Sequence, residues 1–159
     1  MKKKLSIKIA KQLARKHFVD SGMKDGDWYF LHEKSVADVC KILGKRFKAN
    51  ISLLTIAAYL HDIGYSIADK DHASRSLSII GGEYLVSDTL KDCILNHGGG
   101  KSPKTKEGKI IQIADKISFL NLDVLKALLN ENPAKIKEAH LDYIQNSLNR
   151  VVDHLKKID

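Results

Sequence analysis

Cysteine is scarce in this chain of 159 residues, with only Cys40 and Cys93 and no C-x-x-C spacing between them. They can build neither a disulfide framework nor a thiolate metal cluster. Both fall on apolar helical faces, so they read as reduced core thiols of a cytoplasmic protein. Long apolar runs are missing too, and no stretch reaches membrane-spanning length. The basic start, Met1-Lys2-Lys3-Lys4, runs on into Lys8, Lys11, Arg15 and Lys16, where a signal peptide would have its apolar region. A soluble protein without membrane attachment is therefore expected. Strand-like alternation, internal repeats and low-complexity tracts are also absent, which leaves an all-α domain. Acidic residues are in deficit, 19 against 27 Lys and Arg, for a net charge of +8. That balance favours anionic partners such as nucleotides or other phosphate esters. Nucleic acid is not expected, because no nucleic-acid motif or aromatic-interleaved basic stripe accompanies the charge.

What the chain does have is length enough for one domain over residues 1–159, burying roughly two-thirds of the surface its unfolded form exposes. Its organising stretch is Asn50 to Gly64. From Leu53 to Leu60 the residues are apolar almost all the way round a helical wheel, which marks a helix buried on every side. Gly64 is expected to end it as a left-handed cap. His61 and Asp62 stand at its end, and a buried carboxylate there costs several kcal/mol, on the order of magnitude of an unpaired ion, unless another group meets it.

The flanking segments supply such groups. A first helix is expected from Ser6 to about Phe18, with His17 packed at its end, and Ser21 to Asp27 forms a turn. A second helix, capped by Asp27 and running to about Phe47, carries the apolar row Val36, Val39, Cys40, Leu43 and Phe47, which turns His32 inward. A fourth, capped by Asp69 or Asp71 and running through Leu85, has Gly81-Gly82 as a possible division. His72 lies in its first turn, where the positive helix end favours a neutral imidazole; it reads either as a ligand or as an exposed cap residue. In a fifth, from about Ser87 to Asn96, Leu90, Cys93, Ile94 and His97 share the buried face. The lysine-rich segment Lys101 to Lys109 follows and is expected to be a mobile loop, solvated or gathering phosphate as a lid. A sixth helix, beginning around Lys109, embeds Asp115 four residues after Ile111. Asn121 to Asn130 reads as a short helix, and Pro133 to about Ile158 as a long amphipathic one that leaves His140 and His154 on the surface.

His32, His61, Asp62, His72, His97 and Asp115 thus gather two embedded carboxylates and several inward imidazoles, a set that calls for a cation. Nitrogen and carboxylate oxygen together suit Mn, Fe, Zn, Co or Ni rather than Ca. Six ligands exceed what one catalytic ion with open positions requires, and two ions bridged by a carboxylate would use them all.

The order His32, then His61-Asp62 within His-Asp-Ile-Gly, then Asp115 within Ala-Asp-Lys resembles the HD superfamily of metal-dependent phosphohydrolases, whose pattern is H…HD…D on an all-α core. The resemblance spans about Tyr29 to Leu120, the expected core of a helical bundle of about seven helices around the buried central one. His72 and His97 look like the added pair of the H…HD…H…H…D subset, which includes cyclic-dinucleotide phosphodiesterases and dinucleoside-tetraphosphate hydrolases. The resemblance implies one ion on His32, His61, Asp62 and Asp115, and a second on Asp62, His72 and His97. It further implies hydrolysis of a phosphate ester by a two-metal-activated water that Asp62 or Asp115 orients. Lys116, Lys101 and Lys104 are candidate contacts for remaining phosphate charge. The motif continues as Tyr65-Ser66-Ile67, unlike the Gly-Tyr-Pro signature of the cyclic-di-GMP branch, and no acidic pair follows it as in the alarmone hydrolases, so the substrate stays open within small nucleotides and phosphate esters. Other readings are a di-iron HD-type oxygenase, a non-catalytic nucleotide-binding module and a basic nucleic-acid-binding helical protein.

Overall fold

In the computed structural model the chain is all-α, and the structure describes residues 2–121 together with 123, 124, 145, 146, 149, 151, 155, 156 and 158. Six α-helices occur among the described residues: α1 (Ile7–Arg15), α2 (Gly26–Arg46), α3 (Ile51–Leu60), α4 (His72–Glu83), α5 (Asp88–Leu95) and α6 (Lys106–Ser118). A π-helical segment, Lys16–Asp20, continues α1, and a 3-10 turn, Ile63–Ser66, follows α3. The one sheet-like pairing among the described residues is an isolated parallel bridge between Lys3 and Tyr84. Among those residues no helix is long and apolar enough to cross a membrane. The helices expected over 121–130 and 133–158, with His140 and His154, lie outside the described residues apart from scattered positions, of which Val124, Val151 and Ile158 are buried.

Four helices start where a short polar side chain takes up an orphan backbone N–H. Ser6 Oγ accepts from Ile9 N, Asn50 Oδ1 from Leu53 N, Ser87 Oγ from Leu90 N and Thr105 Oγ1 from Gly108 N. The other two begin differently from expectation. α2 starts at Gly26, so Asp27 lies in the first turn and is not its cap. The residue before it, Asp25, is left-handed at φ 60° and makes no capping bond. Gly26 is required there because a Cβ would lie 1.9 Å from the Phe18 carbonyl oxygen, where the π-helical segment crosses the start of α2. Asp71 precedes α4 in the same left-handed conformation, φ 58°, again without a side-chain cap. α4 runs unbroken through Gly81 and Gly82.

α3 is the hub. Every residue from Leu54 to Leu60 is buried, and the helix packs against α1, α2, α5 and α6. Each of those helices turns its apolar stripe toward it, as Ala10 and Ala14, Val36 and Cys40, Cys93 and Ile94, and Ile110 and Ile113 do. The helix stops at Leu60 and does not run to Gly64, and Gly64 is not left-handed. Its role is close approach: a Cβ on Gly64 would lie 2.0 Å from the His72 carbonyl oxygen. The 3-10 turn therefore lies flush on the start of α4. Ser76 locks the contact, donating to His61 O at 2.8 Å and accepting from Gly64 N at 2.9 Å.

α6 begins at Lys106, three residues before the expected start, so Lys106 and Lys109 are helical. The segment before it is pinned at both ends. Asp92 accepts from Lys104 N, Thr105 N and Thr105 Oγ1 at 2.6 to 3.1 Å, and Gln112 Nε2 lies 3.0 to 3.2 Å from the carbonyls of Asn96, Gly98 and Lys101. A mobile lid does not fit that bonding.

Candidate metal centre

The six predicted ligands arrive on five structural devices. α2 delivers His32, the end of α3 delivers His61 and Asp62, the first turn of α4 delivers His72, the residue after the C-cap of α5 is His97, and α6 delivers Asp115. All six converge. His32 Nε2 lies 3.2 Å from Asp115 Oδ1 and 3.9 Å from Asp62 Oδ2, and His61 Nε2 lies 3.8 and 3.4 Å from the same two oxygens. On the other side, His72 Nε2 and His97 Nε2 lie 3.3 and 3.2 Å from Asp62 Oδ1. Asp62 thus turns one oxygen to each pair of imidazoles. Two groups of side chains, His32 with His61 and Asp62, and Asp62 with His72 and His97, each bring three donor atoms within 4.8 Å of one another, close enough to hold a metal ion.

The back of each ring is engaged. His32 Nδ1 lies 3.0 Å from Ser118 Oγ, His61 Nδ1 2.9 Å from Ala58 O and His97 Nδ1 2.6 Å from Ile94 O. When Nδ1 carries the proton toward a carbonyl, Nε2 presents a lone pair to the interior. His72 bonds to the Asp69 backbone and is also held by its face, stacked on Tyr65 with ring centroids 4.1 Å apart and an interplanar angle of 10°. Sequence reasoning placed His72 between ligand and exposed cap; the structure turns its Nε2 to within 3.2 Å of His97 Nε2.

The electrostatics fit a cation. Burial raises the carboxyl of Asp62, but His61 and His97 outweigh it and hold it below the usual carboxylate range. Asp115 is raised by burial as well, yet the Lys116 ammonium, with its Nζ 2.6 Å from Oδ2, and the imidazoles of His32 and His61 hold it well below. Burial opposes a proton on His61, whereas Asp62 and Glu33 favour one strongly enough to lift its pKa well above that of an ordinary histidine. His72, half-buried, is lowered chiefly by burial, which suits a neutral ligand. His61 Nε2 and Asp62 Oδ1 are buried and lack hydrogen-bond partners. Two orphaned donor atoms pointing into a cluster of imidazole nitrogens and carboxylate oxygens match the requirements of a borderline divalent metal.

The cluster opens into a cavity of about 290 Å³, whose walls include Trp28, Tyr29, Tyr65 and Phe119 beside Lys116. Lys101 and Lys104 are exposed and do not line it. The aromatic walls were not foreseen. Neither was Glu33, fully buried behind His61, with its pKa raised by burial. A signal for it existed, since position 33 lies three and seven residues before Val36 and Cys40 and therefore on the inward row of α2.

The family profile described as HD domain matches residues 29–120. The chain belongs to the HD domain family. Among curated proteins it is 29% identical over 129 residues to a deoxyguanosinetriphosphate triphosphohydrolase-like protein of Caldanaerobacter subterraneus subsp. tengcongensis, an alignment covering 65% of this chain and 38% of that protein. It is 27% identical over 137 residues to ribonuclease Y of Borrelia garinii subsp. bavariensis, covering 84% of this chain and 26% of that enzyme. The HD chain therefore spans well under half the length of these relatives. A crystal structure described as a predicted HD superfamily hydrolase, from an uncultured Thermotogales bacterium, superposes with a TM-score of 0.64 at 20% identity, covering 94% of this chain and 89% of that one. That likeness shows the shared all-α fold.

Proposed function

We propose that this HD domain is a metal-dependent phosphohydrolase acting on a small nucleotide or other phosphate ester, with a binuclear site of divalent transition metal. The observation that carries this reading is the division of the Asp62 carboxylate, one oxygen toward His32 and His61 and the other toward His72 and His97. His32, His61, Asp62 and Asp115 would hold one ion, and Asp62, His72 and His97 the other. Ions bound there supply Lewis acidity, a lowered pKa for water and charge for phosphate oxygens.

The rest falls to the chain. Asp62 sets the spacing of the two halves, and Asp62 or Asp115, both kept ionised, can orient a water by accepting its hydrogen bond at a carboxylate oxygen. Lys116, on the cavity wall, places positive charge beside Asp115 for the substrate phosphate. Lys101 and Lys104 are exposed and off the cavity wall, so a substrate contact there would be with a group outside the cavity. The aromatic walls exclude water and offer flat faces to a base. A cavity of about 290 Å³ falls at the small end of ligand sites, which favours a small molecule over a polynucleotide. Triphosphohydrolase and ribonuclease, the names of the relatives, share phosphate-ester hydrolysis. The setting proposed is cytoplasmic, in keeping with the free buried thiols of Cys40 and Cys93, and the unit is a single domain over 1–159.

The test is metal analysis of protein purified without chelator, followed by hydrolysis assays on mononucleotides, dinucleotides and simple phosphate esters after loading with Mn, Fe, Co, Ni or Zn. Close to two ions per chain with anaerobic turnover is the expected result. Iron alone with oxygen consumption would replace it with a di-iron oxygenase, and tight nucleotide binding without turnover by a sensor module.

A further inference from the structure

Glu33 is a carboxyl group in a place where stability gives no reason for one. Its side chain is completely buried, and apart from the His61 ring neither oxygen finds a hydrogen-bond partner. An apolar residue of similar volume at this site would avoid the desolvation cost, because a buried ionisable group that is incompletely paired is destabilising. What Glu33 touches is His61. Oε2 lies 2.9 Å from His61 Nδ1, beside the Ala58 carbonyl that lies at the same distance from that nitrogen. The opposite nitrogen, Nε2, faces Asp62 Oδ2 and Asp115 Oδ1.

The rings of the three buried histidines, His32, His61 and His97, are not backed alike. His32 has the Ser118 hydroxyl behind it and His97 the Ile94 carbonyl, both neutral groups. His61 alone among these three has a carboxyl as well as a carbonyl. A carboxylate behind a ligating imidazole fixes the tautomer, orients the ring and raises the basicity of the nitrogen that faces the cation. Because α2 carries Glu33 next to His32, one helical turn supplies a direct ligand to one half of the centre and the support for its neighbour.

We propose that Glu33 is a positioning residue for His61, selectively strengthening cation binding at the half of the centre formed by His32, His61, Asp62 and Asp115. The proposal rests on the metal reading above, and its test separates the two. Glu33→Gln keeps the shape and removes the charge; Glu33→Met removes both charge and hydrogen bonding at similar volume. Affinities for Co2+ are measured by competition with a chromophoric chelator on the full chain, the two classes of site being resolved by stoichiometry and by the visible spectrum of bound Co2+. Thermal midpoints are measured on the metal-free proteins.

Both variants are expected to weaken one class of site by about 10- to 100-fold, the range for loss of such outer partners. The other class, and the metal-free midpoint, should be unchanged or, for the midpoint, raised. Wild-type affinity at both classes in either folded variant would overturn the role of Glu33 and leave the metal centre standing. A drop in affinity matched by a drop in the metal-free midpoint, or failure of both variants to fold, would make Glu33 a core residue and overturn it as well. Absence of Co2+ binding by the unaltered protein would overturn the metal centre itself.

Discussion

Asp62 Oδ1 stands 3.2 Å from His97 Nε2, a contact that ties the end of the central helix to the residue beyond the C-cap of α5. The six candidate ligands fall into two halves that share Asp62, one carboxylate oxygen toward each. Asp62→Ala is expected to abolish retention of both ions and with it hydrolysis. His97→Ala should leave one ion per chain and weaken the second site by more than about 100-fold, beyond the range for outer partners. Metal content by plasma mass spectrometry checks both, and unchanged content in the two variants would refute the ligand assignment.

The stack between Tyr65 and His72 makes a smaller and more selective prediction. His72 is the most exposed of the four imidazoles, and its ring is held in place by the Tyr65 face. Such a contact is worth about 0.5–1.5 kcal/mol. Tyr65→Ala should therefore weaken the His72 and His97 half by about two- to tenfold, while Tyr65→Phe should bind as the unaltered protein does. Chelator competition distinguishes the two variants.

Close packing of the 3-10 turn on α4 predicts a backbone effect. A methyl group on Gly64 would sit 2.0 Å from the His72 carbonyl oxygen, so Gly64→Ala must push the turn and the first residues of α4 apart. The expected result is a loss of about 1–3 kcal/mol, typical of overpacking, accompanied by a weakened second metal site because His72 moves with its carbonyl. Ser76→Ala tests the same joint more gently, leaving Gly64 N–H and His61 O without their shared partner at about 1–3 kcal/mol. Urea unfolding of the metal-free proteins measures the first effect, and metal competition the second.

Periodicity pointed to three of the candidate ligands because each lies in register with an apolar helical row: His32 with Val36, His97 with Cys93 and Ile94, Asp115 with Ile111. It revealed the central helix because Leu54 to Leu60 have no polar face. What it could not reveal depends on the distance between backbones. Gly64 looked like a left-handed cap, since glycine serves that use often, whereas here it admits a neighbouring carbonyl. The segment before α6 looked mobile from its lysines and glycines, yet Asp92 and Gln112, both far from it in composition, satisfy its backbone. Glu33 was missed, although it shares the inward row of α2, because only the packing of α2 on α3 brings His61 beside it.

Asp92 carries the pH prediction. Burial raises its carboxyl, but the hydroxyl and N–H of Thr105, the N–H of Lys104 and the Asn96 amide outweigh burial and hold its pKa below the ordinary value of 3.8. A group whose pKa is depressed by folding binds fewer protons in the native state, so its stabilisation is fully present above about 3.8 and is lost as pH falls through the folded value. Asp92→Ala should cost about 1–2 kcal/mol near neutrality, a modest sum for several hydrogen bonds because the side chain is only partly buried. The difference between variant and unaltered protein should hold constant from pH 7 to about 5 and shrink below 3.8, as the native carboxylate takes up its proton. Urea midpoints at a series of pH values supply the measurement. A difference that persists undiminished into acid would mean that the Asp92 contacts hold α6 and its preceding segment without their charge.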